Sequence, residues 1–146
     1  MEVVIVADRA SGGVLVGQAI SDLVQARPDA VLGLATGSSP EPVYDDLVTR
    51  FKSGTLSMAK ARAFLLDEYV GLPLDHPESY RSVIERAVAA RLDFPAGSVS
   101  GPDGLAADLP AACARYEASI AAAGGVDLQL LGIGRASCRE RVFVGV

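Results

Sequence analysis

"AVLGLATGSSPEPVYDDLVTRF", residues 30–51, holds the decision between folds. Its first six residues are continuously apolar, as in a strand buried on both faces, and such strands belong to parallel sheets covered by helices. A turn of small residues follows, after which Val43, Leu47, Val48 and Phe51 recur at the spacing of one helix face. A buried strand that passes through a short turn into an amphipathic helix is half of a βαβ unit. It predicts an α/β domain with parallel strands and right-handed crossovers.

The alternation extends in both directions. "VVIVA" (3–7) is an apolar, β-branched run that predicts another buried strand, and Val16, Ile20, Leu23 and Val24 predict a helix ended by Pro28. "ARAFLL" (61–66) predicts a third strand. Tyr80, Val83, Ile84, Ala87 and Val88 mark the inward face of a helix over 78–91. Beyond a Pro/Gly-rich connection, Cys113, Tyr116 and Ile120 mark a helix closed by Gly124 and Gly125, and "VDLQLLGIG" (126–134) predicts a last strand running into a glycine turn. The pattern predicts a parallel sheet packed with helices, whose strands deliver their loops to one edge. Residues 135–146, "RASCRERVFVGV", break it: three arginines and a short apolar end give neither a cap nor a complete helix face. We therefore divide the chain into 1–134, the N-terminal part of one α/β domain, and an aberrant tail, 135–146, at which the sheet looks truncated.

Composition narrows the function classes. Of the 146 residues, 50% are hydrophobic and 5% aromatic, with no Trp, so the core must be built mainly from Ala, Val, Leu and Ile. A net charge of −5 opposes a general nucleic-acid or anionic-membrane surface, which needs clustered Lys and Arg. No apolar run approaches the ~20 residues of a membrane-spanning helix. The start lacks the pattern of a signal peptide, and Cys113 and Cys138 form no CxxC spacing, so the sequence predicts a cytoplasmic chain with reduced thiols.

Three places carry polar groups suited to chemistry. In the turn after the strand at 30–35, Gly37 permits positive φ, Ser39 can cap the next helix and Pro40 suits its first position. The exposed N–H groups of a helix start make Thr36, Gly37, Ser38 and Ser39 candidates for holding a phosphate, the alternative being an ordinary connection with a capping serine. No GK[ST] follows, so this is not a P-loop. In "LLDEYVGLPLDHPESY" (65–80), Asp67 and Glu68 leave the third strand at the same edge. They suit general acid or base work, or else form a strand-end pair that caps the next turn. His76, before Pro77, reads as a loop or cap residue. Gly132 and Gly134 have the GxG spacing of a dinucleotide fingerprint, without its third glycine or its later acidic residue. Neither cysteine has an evident partner base.

Taken together, "GLATGSSPEPVYDDLV", "LLDEYVGLPLDHPESY", "CARYEASI" and "VDLQLLGIG", over about 31–134, resemble the glucosamine-6-phosphate deaminase family in content and order. The related 6-phosphogluconolactonases share the fold but typically carry a shorter DER-type motif where this chain has Asp67-Glu68-Tyr69-Val70-Gly71-Leu72. The resemblance implies that this α/β domain is Rossmann-like, with three layers and helices on both faces of the sheet, and that it converts glucosamine 6-phosphate and water to fructose 6-phosphate and ammonia. It implies a small phosphosugar as partner, no redox cofactor or metal, and no nucleic acid or membrane; it leaves a homo-oligomer open. Asp67 matches the family's general base, which moves a proton between C2 and C1 of the opened sugar. Gly37, Ser38 and Ser39 match the phosphate turn, with Thr36 beside them, and Glu68, Tyr80 and Gly132 are expected at the sugar pocket.

The chain also departs from the family. After GxG the family continues with an Asp-Gly-His segment that opens the sugar ring, and here Ala136 and Cys138 stand at the Asp and His positions. The basic phosphate ligands that the family places farther along are missing, and the tail resembles a frameshift, a chimeric read or a truncated gene. The expectation is a partial phosphosugar site with weak turnover or none. The alternatives are a 6-phosphogluconolactonase-like hydrolase and an inactive phosphosugar-binding module. An unfinished sheet further predicts uncovered apolar surface and self-association.

Overall fold

The structure, a computed structural model, describes residues 2–132. Its sheet has four parallel strands, β1 (Val31–Leu34), β2 (Arg62–Leu65), β3 (Val99–Ser100) and β4 (Leu128–Gln129), in the order β3-β2-β1-β4. The helices are α1 (Arg9–Ala26), α2 (Glu41–Lys52), α3 (Tyr80–Ala87), continued by a 3-10 turn at Ala89–Arg91, and α4 (Leu109–Ala122).

Alternation along the strands separates two faces. Leu32, Leu34, Ala63 and Leu65 belong to one apolar cluster with Ile20 and Val24 of α1, Val43, Leu47 and Val48 of α2 and Ile84 of α3. Adjacent positions point the other way. On that face Phe64 meets Tyr116 of α4 edge to face, with ring centroids 5.8 Å apart. Every residue of β1 is buried, as a strand covered on both faces requires. The α/β, three-layer arrangement expected from the sequence is therefore present.

Two strands differ from expectation. The run at 3–7 lies outside any strand, and its side chains are exposed, Ile5 to 93%. An apolar run becomes a strand only where a neighbour completes its backbone hydrogen bonds, and no described strand lies beside this one. The sheet instead gains β3 from the Pro/Gly-rich connection, where two paired residues are too few to show a period of two. The strand expected over 126–134 is paired only at Leu128–Gln129, and Gly134 and the tail at 135–146 lie outside the described residues. The helix expected over 78–91 begins at Tyr80, because Ser79 caps it through the N–H of Ser82.

Candidate functional site

Strand order reverses at β1: the chain proceeds from β1 through β2 to β3 on one side, then returns to place β4 on the other. In a parallel sheet the crevice at such a reversal, beyond the carboxyl ends of the strands, is the natural ligand site. A Cβ on Gly132 would lie 3.6 Å from Ser39 Cβ and 3.9 Å from the Thr36 carbonyl oxygen, so the segment after β4 sits directly against the turn after β1. Leu34 and Leu65 are the last paired residues of β1 and β2, and two residues beyond them come Thr36 and Asp67. The sheet thus brings Thr36, Gly37, Ser38, Ser39, Gly132 and the partly buried Asp67 to one edge.

Both strand exits are tied to a helix by a tyrosine. The buried Tyr44 hydroxyl donates to the Ala35 carbonyl at 2.5 Å and accepts from the Ala35 N–H at 3.2 Å. Tyr116 donates to the carbonyls of Leu65, at 2.7 Å, and Ser100, at 3.2 Å. Burial pushes both phenols well above their ordinary range, so each remains a protonated donor. The sequence marked Tyr116 as a helix-face position of unspecified partner and left Tyr44 out of the helix stripe, since nothing local signals a hydroxyl that reaches a strand end.

The turn at 35–40 leaves its polar groups at the crevice. Gly37 has φ of 101°, a conformation that side chains oppose. The expected serine cap is not made: the N-cap of α2 is Pro40, with no side-chain cap hydrogen bond, and helix geometry begins at Glu41. Ser39 stands one residue too early for its hydroxyl to serve the first turn.

Glu68 is arranged in the opposite way. One carboxylate oxygen accepts the N–H groups of Tyr69 and Tyr80, each at 2.9 Å; the other accepts the N–H of Arg81 at 2.9 Å and the hydroxyl of the fully buried Ser79 at 2.8 Å. Although partial burial opposes ionisation, these four donors together hold its pKa below the ordinary value. Of the two roles expected for the acidic pair, capping the next element describes Glu68. Tyr80 packs on the core cluster, and its hydroxyl donates to that of Tyr69 at 3.1 Å with ring centroids 4.7 Å apart. His76 acts within the loop, its Nδ1 accepting the N–H of Glu78 at 3.2 Å. Gly71 N–H donates to the Gly104 carbonyl at 2.8 Å, which braces the loop against 101–106.

One residue with no sequence signal joins the turn. Arg9, at the start of α1, donates from Nη2 to the Ser38 carbonyl across 29 positions of sequence. Among the described residues no cluster of His, Cys, Asp and Glu forms a metal site, and no helix is long and apolar enough to cross a membrane.

Residues 9–137 match the family described as glucosamine-6-phosphate isomerases/6-phosphogluconolactonase. The chain is 63% identical over 134 residues to a glucosamine-6-phosphate deaminase of Mycolicibacterium smegmatis, covering 92% of this chain and 51% of that protein. It is 62% identical over the same length to one from Beutenbergia cavernae. It thus spans about half the length of these relatives. Among solved structures, a monomeric glucosamine-6-phosphate deaminase superposes with a TM-score of 0.89 at 36% identity, over 92% of this chain and 56% of that one. A 6-phosphogluconolactonase from Thermotoga maritima gives 0.69 at 29% identity, over 84% of this chain and 56% of that one.

Proposed function

Because the chain belongs to the family of glucosamine-6-phosphate isomerases and 6-phosphogluconolactonases, we propose that it carries the phosphosugar-binding half of a glucosamine-6-phosphate deaminase. The observation that carries this choice over a lactonase is the wide margin between deaminase relatives, at 62–63% identity, and the lactonase structure, at 29%.

In the proposed reaction the phosphate of glucosamine 6-phosphate rests on Gly37, Ser38 and Ser39, near the start of α2, with Thr36 and Gly132 at the adjoining walls. Asp67 removes the proton from C2 of the open-chain sugar and returns it at C1 through an enediol-like intermediate. The resulting imine at C2 is hydrolysed by water, giving fructose 6-phosphate and ammonia. A carboxylate mounted two residues beyond a tied strand end has the fixed placement that transfer between adjacent carbons demands. Tyr80 forms a wall of the sugar pocket, and Glu68 acts by positioning, since its carboxylate already serves the start of α3. The partner is a small phosphosugar in the cytoplasm.

Ala136 and Cys138 supply neither the acid nor the imidazole expected for ring opening, so we expect binding with weak turnover or none. Ammonia release by the purified chain from glucosamine 6-phosphate, beside a parallel assay with 6-phosphogluconolactone, tests this. Any turnover should disappear in Asp67→Asn; hydrolysis of the lactone alone would overturn the assignment.

A further inference from the structure

A cationic side chain from the start of α1 reaches the turn at 36–39. A cavity of about 340 Å³ lies between the starts of α1 and α2 and the segment after β4, lined by Arg9, Gly12, Gly13, Ser39, Pro40 and Gly132 together with apolar side chains. Arg9 is the one ionised side chain in that lining. Arg9 also lines a second hollow, shared with Glu41, Asp45 and Asp46. The adjacent Asp8 is turned to the cap of α1, where it accepts the Ser11 N–H at 2.7 Å.

The position of Arg9 is set by packing. A Cβ on Gly13 would fall 2.6 Å from backbone atoms of Pro42, and one on Gly17 would fall 2.1 Å from Asp46 Oδ2. Glycine at both positions lets α1 close directly on α2, which brings the start of α1 to the mouth of the phosphate turn. There Arg9 holds the Ser38 carbonyl. A guanidinium has five N–H donors in a planar fork suited to phosphate oxygens, and the Ser38 bond uses one of them.

We propose that Arg9 is the phosphate-contacting cation of the turn at 36–39, so that the anion is held between a guanidinium on α1 and the N–H groups ahead of α2. This assignment rests on the phosphosugar site proposed above. It makes binding depend on charge at a residue 29 positions away from Ser38.

Calorimetric titration of the full chain with glucosamine 6-phosphate, and with glucosamine as the phosphate-free control, tests the proposal. Wild type should bind the phosphorylated sugar in preference to glucosamine, and Arg9→Gln should weaken that binding about tenfold or more, as loss of a charge-assisted contact does. Arg9→Lys keeps the charge without the fork and should fall between them. Because the Ser38 bond also braces the turn, ligand-free melting is compared first, and Arg9→Lys carries the test if Arg9→Gln is unfolded. Saturable wild-type binding that either folded variant leaves within twofold would overturn the role of Arg9 alone. A wild type that does not distinguish glucosamine 6-phosphate from glucosamine would overturn the phosphosugar site and the Arg9 assignment with it.

Discussion

The passage from β1 to α2 and the passage from β2 to α3 leave adjacent strands at the same sheet edge, and they treat their polar groups in opposite ways. The first is short, crosses Gly37 at positive φ and enters a helix with no side-chain cap. The second is long, and Glu68 gathers three backbone N–H groups and a buried hydroxyl within it. A helix start left without a side-chain cap can receive an anion; one already occupied by a carboxylate cannot. What the two share is the mount: Tyr44 ties the exit of β1, and Tyr116 ties that of β2. One edge therefore provides an uncapped turn and, beside it, a loop held by Glu68, with Asp67 just before it.

The largest expected effect lies in the second passage. Glu68→Ala removes four accepted hydrogen bonds, one of them from the hydroxyl of Ser79, a residue 0% exposed. It should cost about 3 kcal/mol in urea unfolding, since bonds to a charged group are the stronger kind and do not add fully. A loss under about 1 kcal/mol would break the contrast between the loops. Tyr44→Phe acts on the first mount, leaving the buried polar groups of Ala35 without their partner, and should cost about 1–2 kcal/mol in the same measurement. Gly37→Ala meets no neighbouring atom within 4 Å, so its cost, about 1 kcal/mol, is conformational. An alanine variant as stable as wild type would show that the turn relaxes out of its positive-φ form.

The smallest effect is a pH dependence. The folded protein lowers the pKa of Glu68 from about 4.5, so the ionised form stabilises the fold. That contribution is fully present above the unfolded value and is lost as pH falls through the lower, folded one. The stability difference between wild type and Glu68→Gln should be constant near neutral pH and narrow below about pH 4.5. A difference that stays flat through the acid range would place the carboxylate's charge outside the account.

Legibility in the sequence followed the range of the interactions. The βα unit at 30–51 was readable because strand, turn and helix are each signalled within a few residues. The turn at 36–39 and the acidic pair could be located for the same reason, down to the alternative in which Glu68 caps the next turn, although the Ser39 cap expected there is not made. The run at 3–7 misled, because apolar content reports a preference for burial while a strand also needs a neighbour's backbone. β3 left no trace in two residues. Arg9, Tyr44 and Tyr116 join strand ends and turns through contacts whose partners are set only by the packing of α1, α2 and α4, and no local pattern encodes such partners.

The most direct test follows backbone amide resonances of the labelled chain during titration with glucosamine 6-phosphate. The amides of Gly37, Ser38 and Ser39 should move in a saturable way, while those of Tyr80 and Arg81, held by Glu68, should stay near their ligand-free positions. Movement centred on Tyr80 and Arg81 with a silent turn would contradict the division of roles between the two passages.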